Sequence, residues 1–228
     1  MLSVTNLQTG YGKKHVLHGV SLQVAAGEVV SLLGRNGMGK TTSLRTIMGI
    51  TKAWGGRIEF DGADITHASS HAISQLGLGY VPEGRGIFPN LTVYENLAIS
   101  ARPGRWTFER VYDLFPRLKE RQTHWGNQLS GGEQQMLAIG RALLLNPSMI
   151  MLDEVTEGLA PLIQQEIWSC LERVRADGIA ILVIDKNIRA LLPLVQRHYI
   201  IQKGEICWSG TSAELETNRA DLDRYITL

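Results

Sequence analysis

Over the first third of the chain, apolar residues fall in short clusters punctuated by glycine and polar turns. Ser21–Val24, Val29–Leu33 and Arg57–Phe60 read as strands, with Ala25–Glu28 as a turn between the first two. Between Leu91 and His124 the pattern changes. Pro103 and Gly104 interrupt it, and Val111, Leu114, Phe115 and Leu118 then recur at i, i+3, i+4 and i+7, the spacing of a helix face. A second helix is predicted over Ser130–Leu145 and a third over Leu162–Ala176. Met149–Leu152 and Ile179–Ile184 are unbroken apolar runs, as expected of strands buried on both faces. Near the end, Tyr199–Trp208 predicts a hairpin turning at Lys203-Gly204. Short apolar strands alternating with helices predict an α/β fold with a parallel sheet covered on both sides. No internal repeat or low-complexity segment is visible.

The length of 228 residues fits one domain, large enough to bury roughly 70% of its unfolded surface. Lys and Arg total 23 against 22 Asp and Glu, so no general attraction to nucleic acid or anionic lipid is expected. Cys170 and Cys207 are far apart and read as two reduced thiols. The first residues lack the charged and apolar regions of a signal peptide. Ile179–Ile184, the longest apolar run, is far short of the ~20 residues that span a bilayer, so membrane association would need a partner. The six histidines (His15, His18, His67, His71, His124 and His198) form no metal-ligand cluster and read as surface or strand residues. The five tryptophans are scattered, unlike a nucleic-acid stacking platform.

Gly34-Arg35-Asn36-Gly37-Met38-Gly39-Lys40-Thr41 fits G-x-x-x-x-G-K-[ST], follows the strand Val29–Leu33 and precedes a segment that can be a helix. Glycines let a backbone wrap an anion, and a helix N-terminus behind it adds roughly half a positive charge. Lys40 is expected on the β- and γ-phosphates of a nucleotide, the Thr41 hydroxyl on Mg²⁺, and Thr42 on a nearby phosphate. At the end of the run Met149–Leu152 stand Asp153 and Glu154. With a phosphate loop in the same chain, Asp153 can orient Mg²⁺ and Glu154 can position and deprotonate an attacking water. Phosphoryl transfer also needs bulk solvent excluded, which calls for a lid.

Leu129-Ser130-Gly131-Gly132-Glu133-Gln134-Gln135 opens the second predicted helix, and Ser130 and Glu133 have capping-box spacing. Gly131 and Gly132 are poor helix formers that capping does not require, whereas close approach to a phosphate does. The phosphate loop, this LSGGEQQ segment and the acidic pair together resemble the ATP-binding-cassette (ABC) ATPases, over essentially the whole chain.

The resemblance implies a single cassette, residues 1–228, with a mostly parallel core sheet, an N-terminal antiparallel β subdomain and a helical signature subdomain at residues 88–145. It implies two ATPs at a head-to-tail pair of cassettes. Each signature helix, through Ser130, Gly131, Gly132 and Glu133, closes over the terminal phosphate held by the other's loop. Tyr11 matches the aromatic that stacks on adenine, and Gly34, Asn36, Gly37, Met38 and Gly39 complete the phosphate loop. Glu83 stands where a Mg²⁺-sensing glutamine is usual, Val155 where a proline is usual, and Lys186 where a switch histidine is usual. Lys186 either contacts the γ-phosphate or points to solvent.

Val81–Leu97 and the Glu157–Ala160 loop look like the shorter ATP-binding subunit of bacterial importers for branched-chain amino acids. That resemblance implies two membrane permeases, a periplasmic solute-binding protein and a second, longer cassette. It also implies unequal ATP sites and a cytoplasmic position on the inner face of the plasma membrane. Arg85 and Leu91–Leu97 would form the socket for a permease helix. Cassettes for urea or other amides are similar, and a soluble non-transport ABC ATPase is the rival. Against the rival stand the short interval between phosphate loop and signature and the absence of a basic footprint.

Overall fold

Alternation at every second position decides how the central strands are buried. The computed structural model describes residues 1–226. Its chain order begins β1 (Leu2–Tyr11), β2 (Lys14–Val24), β3 (Val29–Leu33), α1 (Lys40–Ile47), β4 (Gly55–Phe60), β5 (Ala63–Asp64), α2 (Ser70–Gln75) and β6 (Leu78–Val81). The helices α3 (Val93–Ala98), α4 (Phe108–Leu114), α5 (Pro116–Glu120) and α6 (Gly131–Leu144) follow. The order closes with β7 (Met149–Asp153), α7 (Pro161–Ala176), β8 (Ala180–Ile184), α8 (Ile188–Leu191), β9 (Arg197–Gln202), β10 (Glu205–Thr211), α9 (Ser212–Thr217) and α10 (Arg219–Ile226).

The larger sheet has the order β10-β9-β3-β8-β7-β6, parallel throughout except that β10 runs antiparallel to β9. Its strands feed two cores. Val29 and Leu33, Ile150 and Leu152, and Ile181 and Val183 pack with α4, α6 and α7 on one face. Val30 and Leu32, Met149 and Met151, and Leu182 and Ile184 pack on the other face, against α1 and the antiparallel sheet β2-β1-β4-β5. These strands therefore read as continuous apolar runs, because both faces are buried. The hairpin at Lys203-Gly204 turns with both residues at positive φ, +48° and +80°, as a two-residue type I′ connection requires.

Two elements depart from the sequence pattern. β1 carries no clean alternation because its pairing register shifts between Val4 and Leu7, where Asn6 takes φ +50° and its amide donates to the Ser21 hydroxyl. The helix predicted through Val111 and Leu118 is two helices. Pro116 has no amide to continue α4, so Phe115 ends it at φ −129° and Pro116 starts α5. No described helix is long and apolar enough to cross a membrane.

His198 ties the sheet to the C-terminal helices. It is fully buried on β9, with Nδ1 2.7 Å from Ser31 Oγ and Nε2 2.9 Å from Ser212 Oγ. Ser212 donates its hydroxyl to the Val195 carbonyl at 2.7 Å, so it accepts from Nε2–H, and Nδ1 accepts from Ser31. Burial pushes the imidazole from 6.5 down to about 4. Below pH ~6.5 the unfolded chain binds a proton that the folded chain refuses until the pH nears 4. His198 therefore costs stability progressively across that window, up to about 3 kcal/mol. Thermal melts from pH 7.5 to 4.5 are expected to fall less steeply in His198→Gln than in the parent, and parallel curves would contradict this reading.

Candidate active site

The chemistry-bearing residues gather at the carboxyl ends of the parallel strands, where α/β sheets place their crevice. After β3 the chain turns through Gly34–Gly39 into α1. Gly39 is the N-cap at φ +112°, and a Cβ there would lie 2.6 Å from the Leu17 side chain. With no side chain capping α1, its first amides are left open to an anion. The turn is braced from behind, since the Met38 carbonyl accepts from the Gly204 amide at 3.0 Å. Asn36, Gly37, Gly39, Lys40, Thr41 and Thr42 line a cavity of about 290 Å³. Val16, Glu83, Glu154, Glu157 and Lys186 complete its lining.

Charge is dense and nearly dry here. Lys40 is only 6% exposed; its ammonium donates to the Arg35 carbonyl at 3.2 Å and lies 3.5 Å from Glu154 Oε1. Asp153, fully buried at the end of β7, accepts from the Thr41 hydroxyl at 3.2 Å and from the Tyr80 hydroxyl at 3.3 Å. Burial pushes the Asp153 carboxyl above its usual range, against the pull of these two hydrogen bonds. Burial, and the charge of Asp153, push the Tyr80 phenol up as well. Glu154 holds a left-handed backbone, φ +50°, with its amide donating to the Ile184 carbonyl at 2.8 Å. A non-glycine residue held there by its neighbours marks a position where geometry is imposed. Burial, and then the nearby Glu157, push the Glu154 carboxyl up, while Glu157 is held down by hydrogen bonding with Glu154 and Lys186. Lys186 is exposed at the cavity wall, 2.6 Å from Glu157 Oε1 and 3.4 Å from Glu154 Oε2. It is thus ion-paired at the cavity edge.

Tyr11 is exposed at the end of β1. Partial burial would raise its phenol, but the Thr42 and Thr51 hydroxyls and the charge of Arg45 draw it down. The signature segment lies elsewhere: none of Ser130, Gly131, Gly132 and Glu133 lines the cavity. Ser130 caps α6 in a full capping box, its hydroxyl accepting from the Glu133 amide while Glu133 accepts from the Ser130 amide at 2.8 Å. Glu133 also pairs with Arg121 at 2.8 Å, so its carboxylate is engaged within its own chain.

The sequence profile of the ABC transporter family matches residues 17–157. The chain belongs to the ABC transporter ATPase family. It is 42% identical to the high-affinity branched-chain amino acid transport ATP-binding protein BraG of Pseudomonas aeruginosa, over 99% of both chains. It is 35% identical to the lipopolysaccharide export system ATP-binding protein LptB of Escherichia coli, over 94% of this chain and 92% of that one. Among solved structures, a dimeric ATP-binding cassette in a post-hydrolysis state bound to ADP and Pi superposes with a TM-score of 0.82 at 26% identity. That match covers 93% of this chain and 99% of that one.

In this cassette the structure brings Lys40, Thr41, Asp153, Glu154, Glu83 and Lys186 together and leaves the signature outside. Three residues that sequence reasoning gave no role or a different one belong to the picture. Glu157 joins the carboxylates of Glu83 and Glu154, the three lying within 4.8 Å of one another. Tyr80 reaches Asp153 from the neighbouring strand β6. Arg85, expected with Leu91–Leu97 to form a docking socket, directs its guanidinium onto α6 within its own chain. The clearance at the signature glycines is already used within the chain: a Cβ on Gly131 would lie 2.9 Å from Arg85 Nη2, and one on Gly132 would lie 2.8 Å from Ile163 Cγ2. Close approach to a phosphate is therefore not the sole reason for glycine at these positions.

Proposed function

We propose that the cassette binds MgATP in the Lys40–Glu154 cavity and hydrolyses it to drive uptake of branched-chain amino acids through two membrane permeases. The supporting observation is the convergence of the phosphate loop, Asp153 and Glu154 on one cavity from which the same chain's signature is absent. A second cassette then supplies the lid, head to tail, and a periplasmic binding protein supplies the solute. The cassette itself sits on the inner face of the bacterial plasma membrane. The likeness to BraG supports the solute class.

The α1 amides and Lys40 would cradle the β- and γ-phosphates. Thr41 and Asp153 offer the hard oxygen donors Mg²⁺ takes, and Asp153, buried against only neutral hydroxyl donors in its hydrogen bonds, fits a site that a cation completes. Mg²⁺ bound there would neutralise charge on the transferring phosphoryl group. Glu154, raised by burial, is suited to accept the proton of the attacking water. Lys186 would stand beside Glu154 on the side away from Lys40.

Reconstitution with its permeases, second cassette and binding protein in proteoliposomes tests this. Leucine-, isoleucine- or valine-loaded binding protein is expected to raise ATP turnover several-fold. Stimulation only by an amide such as urea, or by no periplasmic ligand, would overturn the solute assignment.

A further inference from the structure

We infer that Arg85 is a positioning residue that carries the occupancy of the nucleotide cavity, felt at Glu83, to the tip of the signature helix. The inference rests on the nucleotide-binding reading above. Glu83 lines the cavity. Two residues later Arg85 holds φ +62°, a conformation that side chains rarely adopt, and Gly86 follows at +65°. This strained turn aims one side chain at one place. The Arg85 guanidinium lies against Gly131, the first residue of α6, and its Nη1 donates to Gln134 Oε1 at 2.9 Å. Gln134 in turn donates to the Gly126 carbonyl at 3.1 Å, so the contact joins the segment leading into the signature as well.

A second clasp lies farther along. Arg141 of α6 donates to the Gly86 carbonyl and stacks over Phe88, 4.6 Å from the ring centre. The segment after Glu83 is thus fastened to α6 at two points, and Arg85 is the one nearer the cavity. Only a planar, forked cation packs one face on a glycine while donating along its edge, so lysine is no substitute. Such a backbone persists only where its surroundings over-determine it, and here the contacts to Gly131 and Gln134 are among those surroundings. Movement of Glu83 toward or away from a bound nucleotide is therefore transmitted through two residues to Gly131 and Gln134. Those groups must be in place before a partner's phosphate can be covered.

Amide hydrogen exchange on the full chain, with and without MgATP, tests this in two segments at once: the phosphate loop (34–46) and the signature (130–138). In the parent, MgATP is expected to slow exchange in both. Arg85→Asn keeps a residue that tolerates the left-handed backbone but removes the guanidinium. It should leave the phosphate-loop response intact and reduce the signature response roughly fivefold or more. Arg85→Lys should fail to restore it, and Gln134→Leu, which cuts the same bond from the other side, should reproduce it if Arg85→Asn folds poorly. A signature response equal to the parent's in Arg85→Asn and Gln134→Leu, with the phosphate loop still protected, overturns the inference alone. No response in the parent's phosphate loop would overturn the nucleotide-binding reading on which it rests.

Discussion

Lys40→Ala is expected to weaken MgATP binding by roughly a hundredfold or more, with the fold intact. Charge-assisted hydrogen bonds contribute about 1.5–3 kcal/mol each, and the ammonium is placed to make more than one to the phosphates. The loss is compounded by what remains. Four carboxylates (Glu83, Asp153, Glu154 and Glu157) stand at or beside the cavity, and without Lys40 the exposed Lys186 is the remaining cation among its lining residues. Glu154 would also lose its buried partner at 3.5 Å and repel the incoming anion. Equilibrium binding of a fluorescent ATP analogue in Mg²⁺ measures the effect. Affinity within about threefold of the parent's would place the phosphates elsewhere, since that corresponds to less than 1 kcal/mol.

Glu154→Gln separates binding from chemistry. The amide matches the carboxylate in shape but takes up no proton from water, so turnover is expected to fall by about 10²–10⁴-fold. Nucleotide affinity should hold or improve, because one negative charge facing the phosphates is removed while Lys40 stays. The backbone at φ +50° is equally costly for either residue, so a change in folding does not confuse the comparison. Single-turnover hydrolysis gives the chemical rate free of product release. A rate within a few-fold of the parent's would remove Glu154 from the proton-accepting role.

The chain's chemistry is readable where it is local. The phosphate loop and the Asp153-Glu154 pair are contiguous, and an apolar strand ahead of each is enough to place them. The capping box at Ser130 is legible for the same reason, with donor and acceptor three residues apart. What stays hidden depends on the sheet order. Tyr80 reaches Asp153 because β6 and β7 are neighbours in parallel register, Tyr80 opposite Met151. Glu157 meets Lys186 because the loops after β7 and β8 lie side by side. Neither pairing has a signature along the chain. Gly131 and Gly132 show the other limit. Their presence is visible, but the Arg85 and Ile163 side chains that fill the space arrive from segments far away in sequence. At the level of elements, the register shift at Asn6 leaves β1 with no alternation to read, and the proline at 116 overrode a helix read by period alone.

The central claim is that a terminal phosphate held by one chain's loop is covered by the signature helix of another. Disulfide trapping in the Glu154→Gln cassette, paired with its second cassette, tests it most directly. Cys207, the exposed native thiol, is replaced, and single cysteines are placed at Asn36 of one cassette and at the serine of the other matching Ser130. A cross-link between chains that forms with MgATP and not with ADP is the expected result. Saturating, tightly bound MgATP with no such cross-link, in a preparation that still forms the paired complex, would contradict the account.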